Sequence, residues 1–385
     1  MTLTNNVSNV GFNCIGCGAC KGVCPKNCID IIEVGRIGLK PIIDTSRCIN
    51  CNLCLDVCPI NDINKRENIS KSMKIYNGIS KNHEIYYNGA SGGIVSSILI
   101  DMFEKNKIDA AIVAFYNENF DFYGDIITRK EDVLKHSGSF YLPVQQLVNI
   151  KKIKNYRSVA FVGLPCHILA MNRVIKTMDL KNIYIKIALF CCGCGRMKRG
   201  TLDLIKFKYG HSLRENEKIL EYHSRRGEKR LFSKTSKIEI LTNFKKYEFL
   251  VQEFLSFVDY YYYSNGCYHC KRICGIDADI SVGDDWGKDT DTKLAIISCN
   301  SELGIDAIKD NSLLQINDNI SSLIKSQPGS YFKKHKLKNH IITDFILISF
   351  YRVMKLLGYL PFRFGLNIFR SIFLYILRVL ITKIR

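Results

Sequence analysis

Cys14-Ile15-Gly16-Cys17-Gly18-Ala19-Cys20-Lys21-Gly22-Val23-Cys24-Pro25 is answered further along by Cys48-Ile49-Asn50-Cys51-Asn52-Leu53-Cys54-Leu55-Asp56-Val57-Cys58-Pro59. Both runs have the form C-x-x-C-x-x-C-x-x-x-C-P. Three thiolates at such short intervals can converge from one tight loop on three corners of a cube. Gly16, Gly18 and Ala19 leave room for backbone amides to turn toward bound sulfur. Proline after the fourth cysteine ends the loop and sets the next turn. Between the runs, residues 29–34 and 39–43 flank Gly35 and Gly38, the pattern of a hairpin.

This spacing resembles that of bacterial two-cluster ferredoxins, in which three cysteines of a run hold one 4Fe–4S cube and the fourth ligates the other. Cys14, Cys17, Cys20 and Cys58 then form one ligand set, and Cys48, Cys51, Cys54 and Cys24 the second. A zinc ribbon needs only two C-x-x-C pairs and does not call for the duplicated run. Cys28, just past the first run, reads as a packed thiol.

The 385 residues carry seventeen cysteines, 47% hydrophobic residues and a net charge of +19. An odd cysteine count with no basic or apolar leader argues against a secreted disulfide scaffold. The expectation is a cytoplasmic protein in which clustered thiols serve metal or redox chemistry, with Cys299 as a buried thiol on an apolar strand. About +10 of the charge lies in residues 331–385, where eleven Lys or Arg face one acid. No basic motif interleaved with aromatics accompanies it, so nucleic-acid binding is not expected.

After a polar linker over 64–73, strand-like runs (110–115, 158–162, 183–190) alternate with helical ones (94–103, 168–175). Such alternation predicts an α/β domain with a largely parallel sheet. Gly89-Ala90-Ser91-Gly92-Gly93 precedes a helix start, where an anion such as a pyrophosphate is favoured; a plain glycine turn is the alternative. Pro165 suits a first helical turn, placing Cys166 in the field of a helix N-terminus that lowers a thiol's pKa. An iron ligand, a nucleophile and a buried cap thiol all fit Cys166. Cys191-Cys192-Gly193-Cys194 ends an apolar strand, and Cys267-x-x-Cys270-x-x-x-Cys274 precedes residues 278–287. These packets suggest a third iron–sulfur site, with zinc as the alternative. Tyr260 to Tyr263 read as a core-facing aromatic strand, with a stacking surface as the alternative; His211, His223 and Arg225-Arg226 read as a solvated charged loop, with contact to substrate or a flavin phosphate as the alternative.

Ser91-Gly92-Gly93, residues 128–141, Val162-Gly163-Leu164-Pro165-Cys166, Phe190-Cys191, and Cys267-x-x-Cys270 followed by residues 278–287 together resemble the family of coenzyme F420 hydrogenase/dehydrogenase beta subunits. The resemblance covers roughly residues 11 to 300. It implies FAD near Ser91, Gly92 and Gly93, and a third 4Fe–4S cluster on Cys166, Cys191, Cys267 and Cys270; Cys192, Cys194 or Cys274 are alternatives for one ligand. The expected organisation is an α+β ferredoxin-like N-terminal domain (1–64), an α/β flavin and iron–sulfur domain (75–330), and a basic helical tail (331–385).

The function these parts imply is that of an iron–sulfur flavoprotein oxidoreductase. It would pass electrons between a ferredoxin-like partner, the clusters and FAD to a small organic substrate, coenzyme F420 or another molecule. No catalytic acid is assigned. The alternative is a non-catalytic carrier or redox sensor docked at a membrane partner. In the tail, Arg370 and Arg378 inside an apolar run disfavour a membrane span. An interfacial amphipathic helix on the inner membrane face, or a helix docked on the body, are the two readings.

Overall fold

The computed structural model describes residues 6–327 apart from 35–37, 194–196, 226, 230–235, 259–261, 263, 288–290 and 319–322. The basic tail over 331–385 lies outside the described residues. The front unit carries α1 (Ala19–Val23), β1 (Ile29–Val34), β2 (Gly38–Ile43) and α2 (Leu53–Asp56). Strands β1 and β2 pair antiparallel from Ile29 opposite Ile43 to Val34 opposite Gly38, the hairpin that the sequence predicts. Each helix begins one residue before the third cysteine of its loop, so the duplicated sequence gives a duplicated fold.

The body begins with β3 (Lys74–Ser80), α3 (His83–Asn88) and α4 (Ile94–Glu104), then β4 (Ala110–Tyr116), β5 (Phe122–Ile127) and β6 (Val159–Gly163). Helix α5 (Pro165–Met178), β7 (Ile183–Leu189) and α6 (Lys198–Tyr209) follow. Strands β8 (Ile219–Ser224), β9 (Lys237–Thr242) and β10 (Lys246–Leu250) lead to α7 (Val251–Val258) and α8 (Asn265–His269). The chain closes with β11 (Ile280–Asp284), β12 (Ala295–Cys299), α9 (Glu302–Lys309) and β13 (Leu314–Asp318). Cys299 is fully buried at the end of β12.

Eight strands form one sheet in the order β13-β3-β12-β11-β7-β6-β4-β5. Only the central run β11-β7-β6-β4 is parallel; β5, β12, β3 and β13 add on antiparallel. The expected largely parallel sheet is therefore a mixed one. The short link from Tyr116 to Phe122 decides this at one edge: it is too short for a crossover and permits only a hairpin. There Phe120 takes a left-handed φ of 63°, and the Asn117 side chain accepts the Asn119 and Asp121 amides. In the centre, every residue of β6 is buried, the continuous apolar run typical of a strand covered on both faces.

The two faces of that sheet are covered differently. Ile94, Ile98, Leu99 and Met102 of α4 pack on one side with Ile305 and Ile308 of α9. On the other, Ile168, Met171 and Val174 of α5 share a core with Ile15, Cys17, Ala19, Val23, Val57 and Ile63 of the front unit. Fully burying one such aliphatic side chain contributes about 1.5–3 kcal/mol, so the front unit is part of the body's core. Its approach is close: a Cβ on Gly22 would lie 2.1 Å from the Leu147 carbonyl oxygen. A third core joins β8, β9 and β10 to α6 and α7, with the buried Tyr262 at its edge. Of the aromatic stretch expected to face the core, Tyr262 is buried in a turn and donates to Asp203; Tyr260, Tyr261 and Tyr263 lie outside the described residues.

Among the described residues no helix is long and apolar enough to cross a membrane.

Candidate metal centres

The two cysteine loops share one backbone conformation. Gly16 and Gly18 have φ of 71° and 80°, and Asn50 and Asn52, at the matching positions of the second loop, have 53° and 62°. This alternation of left-handed residues folds each loop around a point. Glycine enters that region freely, and asparagine is the side chain that best tolerates it. Asn50 and Asn52 are structural determinants that the sequence reading passed over; their alignment with Gly16 and Gly18 was the available signal.

The loops bring the thiols together in sets. Cys14, Cys17 and Cys20 are buried, Cys58 is half-buried, and the Cys58 charge acts on all three. Burial pushes the Cys14 thiol up to about 12 against the opposing Gly16 amide, which lies 3.3 Å from Sγ. Burial likewise raises Cys17, Cys20 and Cys58. In the second set, Cys24, Cys48, Cys51 and Cys54 line a shallow pocket that opens to solvent. Cys51 is exposed there and Cys54 buried.

Cys28 lines the same pocket, with its Sγ 3.5 Å from that of Cys24. The packed thiol expected from sequence is thus a fifth sulfur beside the second set. Burial raises Cys24, but the Cys28 amide and thiol and the Lys26 and Asn27 amides outweigh it and bring Cys24 down. Cys28 goes up to about 12. Of the two, Cys24 is the thiol held lower.

A further set forms inside the body. Cys166 stands in the first turn of α5, after Pro165. Cys191 follows β7, Cys267 lies in α8 and Cys270 caps it. The charges of Cys270, Cys191, Cys267 and Cys17 all act on Cys166. Burial is the largest influence and pushes the Cys166 thiol well above its usual range. The lowering expected from the helix N-terminus is therefore overridden: removing a thiolate from water costs more than one helix end returns. Cys274 is buried, packed with Ile296 and Leu323. Cys192 is half-buried, and Cys194 lies outside the described residues.

These buried thiols need a cationic group before they can serve as thiolates, and that is the chemistry of metal ligation. Among the described residues no three His, Cys, Asp or Glu side chains close tightly enough to hold a single ion.

Ser91, Gly92 and Gly93 lie between β3 and the start of α4. Gly92 and Gly93 have φ of 61° and 76°, and a Cβ on Gly92 would lie 2.7 Å from the Lys293 carbonyl oxygen. Beneath this turn sits a buried polar group that sequence reasoning missed. Lys293, 1% exposed, donates to the carbonyls of Tyr86, Tyr87 (3.0 Å) and Gly89 (2.7 Å). Arg225 is buried as well, donating to Asp284 (2.6 Å) and the Ala90 carbonyl (3.1 Å). Arg225 is therefore no member of a solvated loop, while His211 is exposed as expected; Arg226 lies outside the described residues. Burial would lower the Arg225 guanidinium, but Asp284 and Tyr141 raise it further. Burial and then Arg225 bring Lys293 down to about 8. Arg225 and Tyr141 both hold left-handed backbones, with φ of 62° and 59°, a strain that concentrates at functional sites.

Comparison with known proteins agrees with this anatomy. Residues 11–65 match the 4Fe-4S dicluster domain. Residues 75–151 match the N-terminal part, and 156–318 the C-terminal part, of the coenzyme F420 hydrogenase/dehydrogenase beta subunit. An uncharacterized protein of Methanocaldococcus jannaschii is 28% identical over 70% of this chain and 79% of its own length. One component of the F(420)H(2) dehydrogenase of Methanosarcina mazei is 24% identical over 70% of this chain and 75% of its own. The coenzyme F420-dependent sulfite reductase of Methanocaldococcus jannaschii is 27% identical over 53% of this chain, but that match spans only 33% of the reductase. Among solved structures, a chain of the F420-reducing NiFe hydrogenase complex from Methanosarcina barkeri superposes with a TM-score of 0.52 at 16% identity, covering 72% of this chain and 96% of that one. That likeness shows a shared fold. With the two halves of one family model running in sequence across the sheet domain, the chain belongs to the family of coenzyme F420 hydrogenase/dehydrogenase beta subunits and carries a 4Fe–4S dicluster domain in front of it.

Proposed function

We propose that this chain is an iron–sulfur flavoprotein oxidoreductase that carries electrons between a partner protein and a small organic substrate. The observation that carries this reading is the convergence of Cys166, Cys191, Cys267 and Cys270, with the Cys17 charge reaching Cys166 and the Cys267 charge reaching Cys14. Three cysteine sets then form a continuous series: the Cys24–Cys48–Cys51–Cys54 set at the surface, the Cys14–Cys17–Cys20–Cys58 set inside it, and the body set beneath. Exposure of Cys51 makes the outermost set the point where a partner exchanges electrons.

The chain's residues hold and insulate these centres. Apolar walls from Ile29, Ile43 and Leu53 limit water at the outer set, and the shared core around Cys17, Cys166 and Cys270 does so further in. Burial and the amides near sulfur are the means by which a protein sets cluster potentials. For the flavin, the turn at Ser91, Gly92 and Gly93 over Arg225 and Lys293 offers a glycine-lined helix start with buried cations, which favours the phosphates of FAD. A bound flavin would supply the exchange between two-electron chemistry on a substrate and one-electron chemistry on clusters. Two relatives bear names that refer to coenzyme F420, and a deazaflavin is accordingly the first substrate to try.

Anaerobic purification with counts of iron, acid-labile sulfide and flavin tests the reading. Roughly twelve irons for three cubes, with one FAD per chain, are expected. Roughly eight irons without flavin would overturn it in favour of a carrier or redox sensor.

A further inference from the structure

Glu67, in the link between the front unit and the body, holds its carboxylate against three successive backbone amides. Ile273 and Cys274 donate to Oε2, both at 2.8 Å, and Gly275 donates to Oε1 at 2.6 Å. Three consecutive N–H groups aimed at one point form an anion nest, and this one is filled from within the chain. The nest adjoins the body cysteine set on two sides. Cys270 lies three residues before Ile273, and the Ile273 carbonyl accepts the Cys191 amide at 2.8 Å. The same peptide thus connects Glu67 to the backbone of two cysteines from different segments. Neighbouring contacts extend the tie, with the Lys271 amide donating to the Ile63 carbonyl at 2.8 Å.

We infer that Glu67 is a positioning residue for the body cluster: its carboxylate fixes the 273–275 loop, and through it the placement of Cys191 and Cys270, and it adds a negative charge beside that centre. The inference rests on the proposed third cluster. It makes the link that follows the front unit part of the body cluster's support, because the residue that fills the nest lies in that link. A fixed negative charge near a cluster favours its oxidised form, so removing the charge makes that centre easier to reduce. Glu33 makes a separate tie, accepting the Lys198 and Arg199 amides at 2.8 Å each at the start of α6, and serves as the control.

The test is an anaerobic redox titration of the full chain followed by electron paramagnetic resonance, on the parent, Glu67→Gln and Glu33→Gln. In Glu67→Gln the expected result is one centre shifted to less negative potential with the other two unmoved, or selective loss of about one third of the iron. Unmoved potentials with full iron would overturn the inference, as would an equal shift in Glu33→Gln, which would indicate general loosening. Should Glu67→Gln fail to fold, amide hydrogen exchange on the parent decides: slow exchange in the peptide spanning 273–275 supports the nest, and fast exchange overturns it. A parent with only about eight irons would remove the function reading and this inference with it; a full parent with an unresponsive variant removes the inference alone.

Discussion

Cys17, in the first cysteine loop, lies near enough to Cys166, at the start of α5, for its charge to raise the Cys166 thiol. The two residues share one apolar core, so no water-filled gap separates the front unit from the body at this point. On the proposed assignment, a ligand of the inner front cluster and a ligand of the body cluster are thereby neighbours, the geometry that a series of electron carriers requires.

Cys166→Ser separates a ligand from a nucleophile. As a ligand, its loss removes roughly four of about twelve irons and leaves the front clusters intact. Iron and sulfide analysis of the purified variant reads this directly. Full iron with abolished turnover would identify a nucleophile instead.

The fifth sulfur at the outer set predicts an asymmetry between two variants. Cys28 lies 3.5 Å from Cys24, sulfur to sulfur, so in Cys24→Ser it stands ready to take the vacant corner. Cys24→Ser should keep nearly all its iron, whereas Cys54→Ser, with the spare sulfur placed at Cys24 instead, should lose roughly four irons. Equal losses in the two variants would show that Cys28 does not substitute.

Gly22→Ala should loosen the front unit. Its Cβ would collide with the Leu147 carbonyl oxygen at 2.1 Å, and backbone cannot yield as a side-chain tip can. A loss of about 1–3 kcal/mol is expected for such overpacking, measured as a lowered denaturation midpoint. An unchanged midpoint would mean that this contact is looser than the structure shows.

Lys293 gives a pH dependence with a definite sign. Its pKa is lowered to about 8 by burial and then by Arg225, below the roughly 10.4 of an unfolded lysine. Between those values the unfolded chain binds more protons, so this group makes stability rise with pH across that window. Lys293→Met should lack the rise, and denaturation midpoints at pH 7.5 and 9.5 would show it. Parallel slopes for parent and variant would assign any rise to other groups.

Much of the site was legible before the fold. The cysteine loops, the hairpin over 29–34 and 39–43, and the helix beginning at Pro165 follow from local spacing and turn chemistry, whereas the positions grouped with Cys166 came from the family resemblance. Arg225, Lys293 and Glu67 were not legible, since each is defined by partners 59 or more residues away. Exposure misled for the same reason: a basic dipeptide such as Arg225-Arg226 reads as surface until Asp284 is known to sit beside it. The parallel character of the sheet was overestimated because periodicity marks a strand without fixing its direction.

By itself the sequence determined the duplicated cysteine loops, because the geometry of a cube-binding loop is set within about a dozen residues and leaves its mark in fixed spacing. It also determined the family, through several motifs in a definite order. Only the tertiary structure decided that the front unit is built into the body's core, that Cys28 lies beside Cys24 in the outer pocket, and that a carboxylate from the linker fills a backbone nest near Cys270. Those relations depend on which distant surfaces meet once apolar area is buried, and burial is a property of the assembled chain that no local pattern encodes.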